Sequence, residues 1–164
     1  MTVLPAIAAQ ALRQALGRFA TGVTIVSCLD GQGQPVGLTA NSFSALSLDP
    51  PLVLWSLRLG SPSLPAFAAA RRFAVNVLAE SQVDLSRRFA SAQADKFAEG
   101  LWSHGLDGVP ELAGALAVFE CEAWAQQAAG DHQLFIGRVA QLADLGGPPL
   151  VFQGGHYHLL GEIL

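Results

Sequence analysis

Apolar and polar residues follow one another along this chain in short runs, most of which are typical of β-strands. Residues 6–20 are the exception, because their apolar residues recur at helical spacing with arginine and glutamine between them, which predicts an amphipathic opening helix. Val23–Leu29 is rich in β-branched residues and predicts a strand. The turn residues Asp30–Pro35 and a returning strand from Val36 complete a predicted antiparallel hairpin.

Further strands are predicted downstream. The apolar run Leu52–Leu57 predicts a buried strand, and it follows an irregular stretch that Asp49-Pro50-Pro51 ends, because proline cannot donate to a β-ladder. The other strand predictions are Phe73–Leu78, Ala115–Gln126, Gln133–Leu142, Leu150–Phe152 and Tyr157–Leu160.

Two short helices and one long loop complete the prediction. We expect a helix over Leu64–Ala70 with Ser63 as its N-cap, and a second helix from an N-cap at Ser81 through Phe89. Ser91–Glu111 contains three glycines and a proline and predicts a loop with at most a short turn of helix. About seven hairpin-connected strands with three short helices predict a mainly β fold, an antiparallel barrel or open barrel that carries helices.

Length and composition limit the classes of protein that fit. A chain of 164 residues has the usual size of one domain, which we place at residues 1–164. With 51% apolar and 13% charged residues it is not a disordered chain. A net charge of -4 offers no basic surface to nucleic acid or to an acidic membrane. The low charge content indicates an apolar surface covered by a second subunit or a flat ligand.

No targeting segment is evident in the sequence. No apolar run is long enough to cross a bilayer, and Arg13 and Arg18 interrupt the region where a signal peptide would need apolar residues. We expect a cytoplasmic protein. Cys28 and Cys121 are each flanked by apolar strand residues, so buried reduced thiols are favoured over a disulfide or a nucleophile.

The sequence motifs of many common enzymes are absent. There is no P-loop, no dinucleotide-binding GxGxxG, no GxSxG elbow and no HExxH. A nicotinamide dinucleotide would therefore be bound without a Rossmann domain. His156 and His158 face the same way on a predicted strand, as a metal pair requires, but no third ligand is evident. We predict that the chain holds no metal and that both histidines lie at the surface.

Two groups of hydroxyl and amide side chains mark a candidate ligand site. Thr39, Asn41 and Ser42 stand where one strand ends, and Ser56, Ser61 and Ser63 follow the next strand. Each group alone is typical of caps and turns, whereas the two together favour a cradle for hydroxyls or phosphate.

Two single residues leave alternatives open. Asn76 lies among apolar strand residues and needs a hydrogen-bond partner, which is either a neighbouring loop or a polar ligand. His132, after Gly130-Asp131, is either an ordinary surface histidine or one that faces a cleft.

Several motifs in a fixed order resemble one known family. They are Thr21–Val26, Gly37–Phe43, Leu48–Leu54, Phe73–Leu78, Gln82 with Phe89, Lys96-Phe97, Gly114–Ala117 and Gly130-Asp131-His132 with Phe135–Gly137. This succession, over roughly residues 8–160, resembles the flavin reductase-like family, whose fold is the FMN-binding split barrel, an antiparallel split β-barrel.

The resemblance implies an activity and partners. It implies a homodimer that binds flavin at or near the subunit interface, and an NAD(P)H:flavin oxidoreductase that transfers a hydride from NADH or NADPH to FMN, with FAD also possible. It further implies a separate flavin-dependent monooxygenase that uses the reduced flavin. Two alternatives remain: a flavoprotein that keeps its FMN as electron carrier or redox sensor, and a barrel that binds another planar ligand such as haem.

The resemblance also implies the residues of the site. Thr39, Ala40, Asn41 and Ser42 would offer donors to the flavin ring and ribityl chain; Ser56, Leu57, Arg58 and Ser63 would follow the ribityl chain and phosphate; Asn76, Leu78, Gln82, Ser86 and Phe89 would close the pocket, and Tyr157 would contact the cofactor. His132 would face the nicotinamide as an orienting catalytic group.

Overall fold

The protein is described by a computed structural model that covers residues 6–98 and 100–164. The first five residues of the predicted domain and residue 99 of the predicted loop lie outside the described residues. The helices are α1 (Ala9–Leu16), α2 (Leu64–Ala69) and α3 (Val83–Phe89), with 3₁₀ turns at Glu80–Gln82 and Leu106–Gly108. The strands are β1 (Thr21–Gly22), β2 (Thr24–Leu29), β3 (Pro35–Ala40), β4 (Ser44–Leu48), β5 (Pro51–Arg58), β6 (Arg72–Val77), β7 (Trp102–His104), β8 (Pro110–Leu112), β9 (Ala117–Ala129), β10 (His132–Asp144), β11 (Leu150–Gln153) and β12 (His156–Leu159).

A seven-stranded antiparallel sheet forms the body of the molecule. Its order is β3-β2-β6-β9-β10-β5-β4. β9 and β10 are its longest strands, and the two-residue turn between them holds Gly130 at a φ of +61°, which a glycine adopts without strain. The register pairs His132 at the start of β10 with Arg58 at the end of β5. The predicted antiparallel, mainly β architecture is confirmed.

A second sheet, of order β1-β11-β12, adjoins the first through Leu78. The Leu78 N–H donates to the Val23 carbonyl oxygen (2.9 Å), and the Leu150 N–H donates to the Leu78 carbonyl oxygen (3.0 Å). The predicted closing hairpin is therefore present and is fixed to the main sheet by backbone hydrogen bonds.

Aromatic side chains fill the core on one side of the large sheet. Trp55 is fully buried and its ring stacks on Phe135 at 4.7 Å between centroids, with Phe67 of α2 packed edge-on at 4.8 Å. A Cβ on Gly137 would collide with the Phe73 ring, so this strand position requires a glycine. Cys28 and Cys121 are buried free thiols, as predicted, and burial raises the pKa of each to about 12.

Some local predictions differ from the structure. The stretch read as irregular before Asp49 pairs with β5 as β4, and the predicted loop contains the hairpin β7–β8. β4 shows no regular alternation of apolar and polar residues, and β7 and β8 have only three residues each, so all three strands are fixed by their partner strands. The opening helix is only eight residues long, and none of its residues is buried.

Ser63 stands at the N-cap position of α2, as predicted, but the predicted N-cap at Ser81 is wrong. Ser63 has helical backbone angles and its side chain makes no capping bond. Ser81 lies inside the 3₁₀ turn, where the Gln82 side chain instead accepts the Ala79 N–H at 3.0 Å. A glutamine therefore holds the start of this helical segment in place of the serine.

Candidate functional site

One cleft combines several of the residues implied by the resemblance. It encloses about 420 Å³ between β3, the end of β5 and the segment after α3, a size typical of small-molecule sites, which run from roughly 300 to 1,000 Å³. Its lining comprises Leu38, Thr39, Leu57, Arg58, Gly60, Ser61, Pro62, Ser63, Phe89, Ala90, Ser91, Ala92 and Lys96. Five predicted flavin contacts are among them: Thr39, Leu57, Arg58, Ser63 and Phe89.

Thr39 presents a hydrogen-bond acceptor to this cleft. Its hydroxyl donates to the Ser86 carbonyl oxygen at 2.6 Å. Because a hydroxyl carries a single proton, the Thr39 oxygen is left to accept from a bound ligand. The predicted donor is therefore an acceptor while this bond is in place.

The hydroxyl of Ser42 is used within the protein. It donates to the Ser56 carbonyl oxygen and accepts the Ser56 N–H, both at 3.0 Å. The bonds fix the loop after β3 to the middle of β5 and use the single proton of the Ser42 hydroxyl. Ala40, Asn41, Ser42 and Ser56 do not line the cleft, and their contact with a flavin stays a prediction.

Two cationic side chains border the cleft. Arg58 stands at the exposed end of β5, and Lys96 donates from Nζ to the Phe89 carbonyl oxygen at 3.2 Å. Partial burial lowers the pKa of Lys96, because water stabilises the ammonium less well there. Sequence reasoning assigned no role to Lys96, although it is the only lysine of the chain. Together with the Ser61 and Ser63 hydroxyls, these cations form a site suited to a phosphate.

Two residues predicted to close the flavin pocket are instead part of the core. Asn76 is fully buried; its Nδ2 donates to the Ile25 carbonyl oxygen (3.0 Å), and its Oδ1 accepts the Leu112 N–H (2.9 Å). Leu78 is also fully buried. The predicted flavin contacts of Asn76 and Leu78 are therefore wrong, and the structural alternative for Asn76 is confirmed.

Three further residues that the resemblance places at the flavin do not line the cleft. Ser86 is fully buried, and its hydroxyl hydrogen-bonds the Tyr157 hydroxyl at 2.7 Å, so its predicted flavin contact is wrong. Gln82 donates from Nε2 to the Ala113 carbonyl oxygen at 3.1 Å. Tyr157 and Gln82 do not line the cleft, and a flavin contact for either stays a prediction.

His132 lies beside the cleft. Its ring Nδ1 is 2.7 Å from an Asp131 carboxylate oxygen, and this hydrogen bond lowers the pKa of Asp131. The Leu59 N–H donates to the Asp131 carbonyl oxygen at 2.9 Å, which ties the turn to the end of β5 next to Arg58. With a side chain 41% exposed, His132 is accessible to a ligand, and its contact with nicotinamide stays a prediction.

The histidine pair of the closing hairpin is engaged with backbone oxygens. The His156 ring lies 3.0 Å from the Gly154 carbonyl oxygen, and the His158 ring lies 3.1 Å from that of Gln153. Over residues 6–98 and 100–164, no three His, Cys, Asp or Glu side chains converge as a metal site requires. In the same described part of the chain, no helix has the length and apolar character needed to cross a membrane.

Curated relatives of the chain include flavin reductases and reductase subunits of monooxygenases. SmoA of Agrobacterium fabrum, an FMN reductase (NADH), is 45% identical over 148 residues, which are 90% of this chain and 84% of SmoA. The flavin-dependent monooxygenase reductase subunit HsaB of Rhodococcus jostii is 42% identical over 93% of this chain and 80% of HsaB. A probable flavin reductase of Rhizobium meliloti is 45% identical over 90% of this chain, which spans only 48% of that protein's length.

Solved structures share the fold. Nitrilotriacetate monooxygenase component B of Mycobacterium thermoresistibile has a TM-score of 0.88 at 40% identity, over 93% of this chain and 86% of that one. The NADH:FAD oxidoreductase SgcE6 of Streptomyces globisporus, in complex with NAD and FAD fragments, has a TM-score of 0.86 at 36% identity, over 92% of this chain and 91% of that one. The sequence model of a protein family, described as the flavin reductase like domain, matches residues 16–161 of this chain. These agreements confirm the resemblance, and the chain belongs to the flavin reductase-like family of oxidoreductases.

Proposed function

We propose that this chain is an NADH-dependent flavin reductase that binds oxidised flavin in the cleft and reduces it for use elsewhere. The observation that carries the proposal is the meeting of Thr39, Arg58, Ser63 and Phe89, from separate elements, at one cleft with a cationic border. The relative SmoA, named an FMN reductase (NADH), supports FMN as acceptor and NADH as donor.

The residues of the cleft fit a flavin. Leu38 and Leu57 offer apolar contact to a flat ring, Thr39 offers an acceptor, and Arg58 with Lys96 offers positive charge to a phosphate. When bound, the flavin supplies the hydride-accepting chemistry. The protein orients the two reactants and excludes water, and His132 positions the nicotinamide at the cleft edge.

A partner oxygenase belongs to the same proposal. The relative HsaB is named a reductase subunit of a flavin-dependent monooxygenase, which supports a separate enzyme that consumes the reduced flavin. We place the pair in the cytoplasm, where NADH is regenerated.

A homodimer is part of the proposal as well. Large apolar side chains are exposed in this single chain, among them Leu16 (64%), Phe19 (79%), Trp124 (53%) and Leu142 (64%). A second copy of the chain would cover this apolar surface, as symmetric oligomers commonly do.

The test is oxidation of NADH by the purified protein with and without added FMN, followed by the loss of NADH absorbance. We expect turnover that saturates with free flavin. Arg58→Gln should raise the flavin concentration that gives half-maximal turnover, because the variant loses a cation beside the flavin phosphate. Arg138→Gln, on an exposed side chain at the far end of the β5–β10 pairing, is the matched control. Bound FMN without turnover would overturn the proposal in favour of an electron carrier.

A further inference from the structure

Lys96, the only lysine of the chain, lies in the wall of the cleft. Its side chain is partly buried, and Nζ donates to the Phe89 carbonyl oxygen at 3.2 Å. A lysine amine has further N–H groups and, when it is neutral, a lone pair. The bond to a backbone oxygen therefore holds the nitrogen at the cleft without using the lone pair through which an amine reacts.

The surroundings of Lys96 favour the neutral amine. Among the described residues that line the cleft, none carries a carboxylate, and the other charged group is the guanidinium of Arg58. Partial burial lowers the pKa of Lys96, because the ammonium is less well hydrated there. A larger share of this lysine is therefore neutral than of a lysine that extends into water, and only the neutral amine is a nucleophile.

The cleft also offers groups that bind a small phosphate near this amine. Arg58 supplies positive charge, and Ser61 and Ser63 line the same cleft with their hydroxyls. The Ser61 oxygen accepts the Ser63 N–H at 3.3 Å, so the Ser61 proton can be donated to a phosphate oxygen. A guanidinium with hydroxyl donors is a typical set for phosphate. A phosphate bound by these groups brings any acyl group attached to it into the same cleft as Lys96.

We propose that Lys96 is a modification site that small acyl phosphates bound in the cleft acylate without a second enzyme. The neutral Nζ attacks the acyl carbon, an N–C bond forms, and the bond between that carbon and the phosphate oxygen breaks. Inorganic phosphate leaves with the bonding electrons, and the surplus proton of the amine passes to water. The protein supplies a neutral amine and holds the phosphate beside it, which raises the rate by proximity.

Acylation of Lys96 reduces the affinity of the cleft for flavin. The product is an amide without charge, so the cleft loses one of the two cations that border it. This consequence rests on the proposed flavin reductase function, because it requires the flavin phosphate to lie beside Arg58 and Lys96. We expect the acetylated protein to bind FMN about tenfold more weakly than the unmodified protein.

Treatment with acetyl phosphate at mildly alkaline pH, followed by mass spectrometry of the digested protein, tests the site. Gln32→Lys adds a second lysine on the exposed turn between β2 and β3, so two lysine amines are compared in one molecule. Lys96 should be acetylated about tenfold faster than the introduced lysine. An excess of inorganic phosphate should slow this reaction of Lys96, but not its reaction with the N-hydroxysuccinimide ester of acetic acid, which carries no phosphate.

Equal rates at the two lysines would overturn the inference, as would acetylation of Lys96 that inorganic phosphate does not slow. The dissociation constant of FMN, measured by flavin fluorescence, should rise when wild type is acetylated. Lys96→Arg has no amine at this position, so its constant should be the same before and after treatment. If acetylated Lys96 leaves the constant of wild type unchanged, the effect on flavin binding is wrong. The proposed function fails separately, by the absence of NADH oxidation with any flavin, whatever the rate of acetylation.

Discussion

Hydrogen-bond partners decide the role of each polar residue near the cleft. Asn76 and Ser86 are fully buried and their polar atoms are satisfied by the protein itself. Thr39 gives its proton to the Ser86 carbonyl oxygen and lines the cleft. Ser86 therefore stands between the cleft and Tyr157, with its carbonyl bonded to Thr39 and its hydroxyl bonded to Tyr157.

Tyr157→Phe tests whether this tyrosine supports the fold or contacts the flavin. The change leaves the buried Ser86 hydroxyl without its partner, and we expect a loss of about 1–3 kcal/mol in the free energy of unfolding. The dissociation constant of FMN should be unchanged, because Tyr157 does not line the cleft. Urea unfolding and FMN fluorescence titration measure the two quantities. A stable variant with weakened FMN binding would instead favour the direct contact.

His132→Ala tests the position of the nicotinamide. The His132 side chain is exposed beside the cleft and outside its lining, so its loss should lower the rate of NADH oxidation more than it weakens FMN binding. Steady-state kinetics and FMN titration of the same preparation give both values. His156→Ala, on the exposed closing hairpin, is the matched control. Equal losses in rate and in flavin affinity would exclude the orienting role.

At the scale of elements, long-range pairing explains both what the sequence predicts and what it does not. β2, β5 and β6 carry apolar runs that fill the core, so their pattern alone identifies them. The hairpin β7–β8 has only three residues in each strand. Its position depends on Ser27 and Asn76, which bond the backbone of Pro110 and Leu112 from distant strands. No local pattern could show these bonds.

A carboxyl pair between this hairpin and β9 should make the stability of the protein depend on pH. Glu111 is half-buried against the buried Glu120, which accepts the Leu106 N–H. Burial, and then the hydrogen bond to Glu120 and its charge, raise the pKa of Glu111 from 4.5 to about 7. Between pH 4.5 and about 7 the folded state therefore binds more protons than the unfolded chain. The contribution of Glu111 to the free energy of unfolding is fully present below pH 4.5 and is lost as the pH rises through about 7.

Glu111→Gln should flatten this pH dependence, because an amide keeps a donor to Glu120 but does not titrate. Urea unfolding at about pH 5 and about pH 8 measures the difference for each protein. Asp144→Asn, an exposed carboxylate at the end of β10, is the matched control and should retain the slope of wild type. If the free energy of unfolding of Glu111→Gln changes with pH as much as that of wild type, Glu111 is not the source of the pH dependence.

At the scale of the whole molecule, the sequence identifies the fold and a minority of the residues that line the cleft. The order of motifs predicts the family, and five of the implied residues meet in the cleft. Asn76, Leu78 and Ser86 are implied by the resemblance to close the flavin pocket, but their side chains are buried in the core. Whether a side chain faces the core or the cleft depends on pairing between strands that are far apart in the sequence. Lys96 likewise reaches the cleft from a separate segment, the one after α3.

The proposed homodimer gives the last prediction. Sedimentation velocity should yield a mass twice the 17.1 kDa of one chain. The reason is that α1, β9 and β10 expose large apolar side chains, which a second copy of the chain would cover. Trp124 is half exposed on β9, and tryptophan contributes strongly to interfaces when it is buried there. Trp124→Glu should shift the protein towards the monomer, while Gln32→Glu on the polar β2–β3 turn should not. A wild-type protein that sediments as a monomer would contradict the homodimer.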